Sequence, residues 1–229
     1  MTRAALDAET SRAEFVYEQL RSDLLEGRIA PGERLKLPGL VSRFGLSMTV
    51  VREALTRLAE QGLVISNPKR GFSVMPLSLD HLKDLTHARL RLEIMTLRDS
   101  IEGAGMEWET AVVGSHYALN RTDRILADGA LNPVWLQVHR AFHHALGSGC
   151  GSPQLIAITD ALRDSAELYR AWSHTLAHDT KRDVTAEHDR IVATALARDS
   201  DAAAEALATH IERTTVVLVQ YALTGDPLA

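Results

Sequence analysis

The residues best suited to do chemistry in this chain are histidines. His139 and His143 stand at i and i+4 in LQVHRAFHHAL. On a helix this spacing puts both imidazoles on one face, a common way to offer two metal ligands. His188 in AEHDRIVATAL and His210 in ATHIERT also sit in helical patterns, each beside apolar neighbours: Ile191, Val192 and Leu196 for the first, Leu207 and Ile211 for the second. A helical bundle can bring such side chains together in its interior. Neutral imidazoles suit Zn²⁺, Ni²⁺, Co²⁺ or Cu²⁺. Against this stands the ordinary role of a single histidine near an apolar stripe, that of a hydrogen-bonded core residue. His174 and His178 make another i, i+4 pair, but they approach a helix end, where a surface histidine is favoured. His81, His87, His116 and His144 carry no pairing signal. Nothing beside the four candidates reads as enzymatic. There is no Glu-x-x-His pair of the di-iron type and no H-E-x-x-H. Asp189 follows His188, but neighbouring helix positions point ~100° apart.

The second chemistry is cationic. Residues 34–76 hold seven Lys/Arg against two acids, a local charge of +5, in a chain whose net charge is -5. Residues 77–229 hold 14 Lys/Arg, 21 Asp/Glu and all ten histidines. Such asymmetry marks two regions with different tasks, the first suited to a polyanion.

The elements that must carry these residues can be read from periodicity. From Ser11, Val16, Leu20 and Leu24 repeat at helical spacing, and Gly27 stops the run. Pro31-Gly32 makes a turn. Pro38 to Phe44 reads as a short helix, Gly45-Leu46-Ser47 as a turn, and Met48 to Gln61 as a helix with Ser47 as N-cap and Gly62 as stop. Leu63–Ser66 and Phe72–Met75 read as strands of a hairpin whose tip is Asn67-Pro68-Lys69-Arg70-Gly71. After a short linker at Pro76-Leu77-Ser78 everything reads as helix, near 79–103, 107–127, 131–147, 153–178, 180–198 and 200–222. The expected fold is mainly α: a winged helix-turn-helix at 1–76 with a small β-hairpin wing, then an all-helical bundle at 77–229. That order suits DNA. A helix fits the major groove with its N-terminal residues at base edges, and a capping serine suits a phosphate. The wing tip suits a backbone or minor groove. The candidate DNA-contacting residues are Lys36, Arg43, Ser47, Thr49, Arg52, Lys69, Arg70 and Gly71. Glu53 and Arg57, one turn apart, read as a surface pair.

Residues 16–75 resemble the DNA-binding domain of GntR-family bacterial transcription regulators. The resemblance rests on VYEQLRSDLLEGRIAPGERL, LSMTVVREALTRLAEQGLV and the wing NPKRGFSV. It implies arginines at two positions where this chain has Pro38 and Met48, while Arg52 keeps a third. Arginine makes bidentate contacts to guanine worth ~1–3 kcal/mol of discrimination, which proline and methionine cannot make. The expected operator therefore differs from the common family half-site, or is bound more weakly, with Lys36, Arg43, Lys69 and Arg70 compensating through phosphates.

Residues 80–222 resemble the all-helical FCD effector domain of the FadR subgroup, through ARLRLE at 88–93, FHHAL at 142–146 and the EH…AL…H run at 187–210. Metal-binding members hold one ion with an Asp and three histidines. The resemblance places His143, His188 and His210 on those histidines and His139 on the Asp. It implies a four-histidine site for one divalent metal, zinc or nickel foremost, next to which a small organic acid binds. A neutral donor set leaves the ion its full charge and favours an anionic effector. Arg89 matches an arginine of this domain and is the candidate for an Arg–carboxylate fork, with an i, i+4 salt bridge to Glu93 as the alternative.

The reading is a DNA-binding transcription regulator, not an enzyme. It is expected to bind a pseudo-palindromic double-stranded operator as a homodimer. The alternatives are a metalloenzyme or a metal-independent interaction protein. No apolar run reaches the ~20 residues a membrane span needs. The N-terminus lacks a signal core and Cys150 is the sole cysteine, so a cytoplasmic location is expected.

Overall fold

The structure is a computed structural model that describes residues 3–67, 69–175, 177 and 182–224. The chain divides into two compact units between Ser78 and Leu79.

In the first unit, α1 (Arg3–Leu25) starts eight residues before the expected Ser11. β1 (Arg34–Leu35), α2 (Leu37–Phe44), α3 (Met48–Glu60), β2 (Val64–Asn67) and β3 (Gly71–Val74) follow. Val16, Leu20 and Leu24 of α1 are fully buried, as are Val51, Leu55 and Leu58 of α3, and the two helices pack together. Burying a Val or Leu side chain contributes about 1.5–3 kcal/mol, so this face fixes how α3 is presented. The turn between α2 and α3 needs Gly45 in the left-handed region (φ 64), where its N–H closes the helix on Val41 O at 2.9 Å. The Ser47 side chain accepts from Val50 N and starts α3. The hairpin gains a strand beyond expectation. The sheet order is β1-β3-β2, all antiparallel, with Arg34 opposite Ser73 and Leu35 opposite Phe72. A two-residue strand has no period to read, so only pairing defines it.

The second unit contains α4 (Leu79–Gly103), α5 (Met106–Asn120), α6 (Pro133–Gly147), α7 (Pro153–Ser165), α8 (Glu167–Thr175), α9 (Val184–Leu196) and α10 (Ser200–Thr224). α4 packs along α10, α5 along α6, and α9 along α10. Two expectations need correction. The helix expected to reach 127 ends at Asn120. Beyond it, Asp128 accepts from Ala130 N, Gly129 takes φ 86, and Asn132 Nδ2 donates to Asp123 O at 2.8 Å, so side chains satisfy the backbone in place of a helix. The helix expected over 153–178 divides at Ala166. No Gly or Pro signals this break. Arg163 before it is anchored to Glu93 of α4, while Tyr169 and Trp172 after it fill the core, so each half is held separately. Among the described residues, no helix is long and apolar enough to cross a membrane.

Candidate metal centre and nucleic-acid interface

Three helices of the second unit carry the histidines inward. α6 is started by Asn132, whose side chain accepts from Val134 N, with Pro133 in the first turn. One face of it presents Trp135, His139 and His143. Asp183 caps α9, accepting from Ala186 N, and His188 follows one turn later. His210 stands midway along α10. All four histidines are 1–5 % exposed. One ring nitrogen from each lies within 4.8 Å of the others. His139 Nε2 and His143 Nε2 are 3.2 Å apart. His188 Nε2 and His143 Nδ1 are buried with no hydrogen-bond partner among the described residues. Such orphaned polar atoms call for a partner.

Burial holds His139, His143 and His188 well below the usual imidazole range, and the neighbouring histidines lower each further. His210 is pushed down to about 4, chiefly by burial. Around neutral pH the four rings are therefore neutral, the form in which imidazole ligates a metal. Glu187 Oε2 lies 2.7 Å from His210 Nδ1, which leaves Nε2 of that ring for the cluster. Arg182 grips the same carboxylate at 2.6 and 2.8 Å. Burial alone would raise Glu187, but hydrogen bonds from His210 and Arg182 outweigh it and hold the carboxyl at about 2. A carboxylate behind a ligating histidine orients the ring and strengthens it as a donor. The donor set fits a divalent ion that prefers nitrogen.

Arg89 is 6 % exposed and donates to Glu93 at 2.6 Å; Arg163 takes the other oxygen at 2.8 Å. Its Nε is thus spent on a buried ion pair, the alternative of the two sequence readings. Other histidines are partnered elsewhere: His81 with Tyr169, His116 with Asp189, His144 with Asp160. His174, expected at the surface, is half-buried and lies 3.2 Å from Gly129 O; His178 lies outside the described residues.

In the first unit Met48, Thr49 and Arg52 are exposed at the start of α3. Lys36, Lys69 and Arg70 are exposed as well. A groove of about 500 Å³ is lined by Arg34, Lys36, Pro38, Arg70 and Gly71. β1 creates it by laying Arg34 and Lys36 beside the wing, and only the pairing of that short strand reveals Arg34. Arg43 is exposed too. It is ion-paired to the buried Asp23 and stacked 4.9 Å over the Phe44 ring. Arg57 does not hydrogen-bond the expected Glu53; it donates to Glu14 at 2.6 Å and lies 4.3 Å over the Tyr17 ring. The long helix α1 supplies a better-placed acid than the adjacent turn.

Residues 12–74 match the bacterial regulatory proteins of the gntR family, and residues 84–213 match the FCD domain. The chain belongs to the GntR family and carries an FCD domain. This GntR regulator is 38% identical to the HTH-type transcriptional regulator BphR of Paraburkholderia xenovorans, over 93% of this chain and 87% of that one. It is 32% identical to the HTH-type transcriptional repressor GlaR of Escherichia coli, over 92% and 96% respectively. The fold is shared with E. coli McbR/YncC, at a TM-score of 0.69 and 21% identity, covering 92% of this chain and 98% of that one. A putative GntR regulator from Rhodococcus gives the same TM-score at 22% identity, with the same coverage. These relatives are transcription regulators, not enzymes, and so is this chain. Its family binds DNA operators, and FCD domains bind small effectors.

Proposed function

We propose that the protein is a cytoplasmic, homodimeric regulator that binds a pseudo-palindromic operator and responds to a small organic acid beside one divalent ion. Residues 1–76 read the DNA. Residues 77–229 bind the metal and effector and form the dimer. The observation that carries the reading is the convergence of four buried, neutral imidazoles inside an FCD domain. His139, His143, His188 and His210 would hold zinc or nickel, with Glu187 orienting His210. The ion would supply a centre of positive charge for the effector's carboxylate. Effector binding would bias the placement of the DNA-reading units with a coupling of about 1–3 kcal/mol. Arg52 and Thr49, exposed at the N-terminal end of α3, would meet base edges. Ser47, Lys36, Lys69, Arg70 and Gly71 would meet the backbone. Arg43, tied to Asp23, would contribute less.

Metal analysis of purified protein tests the reading. The wild type should carry one ion per chain, and His188→Ala combined with His210→Ala should carry almost none. Full occupancy in the double variant would place the ion elsewhere. No ion in the wild type would leave a metal-independent module. Arg52→Ala should weaken operator binding without changing the fold; unchanged binding would remove that residue from the readout.

A further inference from the structure

We propose that Arg170 of α8, rather than Arg89, is the side chain that recognises the carboxylate of the effector. The inference rests on the effector reading above and adds the residue that selects the ligand.

A small cavity of about 20 Å³ opens beside the cluster, lined by Trp135, His139, Arg170, Arg182, His210 and their neighbours. Three arginines reach it, counting Arg124, and among the described residues no carboxylate does. The three are not equivalent. Arg182 is neutralised by Glu187 through three hydrogen bonds. Arg124 stacks 5.7 Å over the Trp135 ring. Among the described residues Arg170 makes long contacts, to Arg163 O at 3.4 Å and Glu167 Oε1 at 4.0 Å. Its Nε is enclosed with no hydrogen-bond partner among the described residues, although 17 % of the side chain stays accessible. Burial pulls this guanidinium down to about 10 against the opposing pull of Glu167. A buried guanidinium with unspent donors is costly to fold and is retained where something else uses it. Arg89 has its Nε on Glu93 and does not line the cavity.

The ligand class follows from these walls. A guanidinium with an unpaired Nε calls for a planar anion, and a carboxylate matches its fork. The cavity holds about one water, so the rest of the ligand needs further room. A second cavity of 180 Å³ shares Arg124, Trp135 and Val184 with the first and extends to His188. The stacked Arg124 and Trp135 line both cavities. A short-chain organic acid would anchor on Arg170 and extend past Arg124 towards the second cavity, with its body along the indole.

The test uses the full chain, with succinate, citrate and butyrate as anionic probes and butyramide as the uncharged control. Binding is followed by calorimetry and tryptophan fluorescence. The wild type should bind at least one anion and ignore butyramide. Arg170→Gln should weaken that binding by about tenfold or more, and Arg170→Lys by less. Metal content should be unchanged in both. The ligand-free melting temperature of Arg170→Gln should change little, because the contacts it gives up, to Arg163 O at 3.4 Å and Glu167 Oε1 at 4.0 Å, are long. Wild-type affinity in Arg170→Gln would overturn the proposal, as would no response of the wild type to any anion. A large loss of thermal stability together with lost metal would also overturn it, since Arg170 would then be structural. Repeating the titrations after chelation separates the two readings. Anion binding that still depends on Arg170 without metal supports this assignment even if the metal reading fails.

Discussion

Replacing Glu93 by Gln isolates what holds the second unit together beside the histidines. Glu93 is 2 % exposed and accepts from Arg89 Nε at 2.6 Å and Arg163 Nε at 2.8 Å. Burial alone would raise its pKa, yet the two guanidinium charges and their hydrogen bonds hold it below the usual carboxylate range. Glutamine keeps the shape and removes the charge. Arg163 retains Asp160 as a partner, whereas Arg89 keeps no acid in hydrogen-bonding contact. Leaving one buried charge unpaired costs about 3–5 kcal/mol. For a unit of this size each kcal/mol moves the melting temperature by about 2–4 °C, so the full chain should melt roughly 6–20 °C lower. Calorimetry of the metal-free protein reads this directly. Arg89→Met combined with Glu93→Met removes both charges and should recover most of the loss, because buried ion pairs replaced together by apolar groups are often neutral. A Glu93→Gln transition within about 2 °C of wild type would refute the reasoning. It would mean that Arg89 finds other partners and is free to act on the effector.

Two further outcomes follow from the cluster. Glu187→Gln should weaken metal binding by about 10–100-fold while leaving the fold intact, as read by competition with a chromogenic chelator; unchanged affinity would show that His210 needs no carboxylate behind it. The metal-free protein should lose stability as pH falls below about 6.5, where the unfolded chain takes up protons that the buried rings refuse. The folded-state values lie below the unfolded one, so the stabilisation is full above 6.5 and is lost towards lower pH. His210, held at about 4, accounts for roughly 3 kcal/mol of that loss between pH 6.5 and 4. Urea titrations at pH 7.5, 6 and 5 check it, and a flat profile would mean that the folded rings take up protons as readily as the unfolded ones.

Much was legible because it is local. The spacing of Val16, Leu20 and Leu24, the Ser47 cap, the Gly45 turn and the i, i+4 pair His139/His143 each need only a few adjacent residues. So does the contrast between a cationic front and a histidine-bearing acidic rear. The motifs around His188 and His210 carried a family resemblance, and with it a four-histidine set.

What the sequence could not show depends on residues far apart along the chain. β1 is two residues long and exists only because β3 pairs with it, so Arg34's place beside the wing was invisible. The break at Ala166 has no Gly or Pro to announce it; it follows from anchors on α4 and in the core. Arg43 looks like a free cation and Arg57 like the partner of Glu53 until α1 brings Asp23 and Glu14 against them. Arg89 and Arg170 are the same residue type, each with an acid within four positions. Burial decides between them. Arg89 shares the buried Glu93 carboxylate with Arg163, while Arg170 lines a cavity with its Nε unpaired among the described residues. Periodicity specifies which face of a helix turns inward, but the partner that face meets is set by packing against helices distant in sequence.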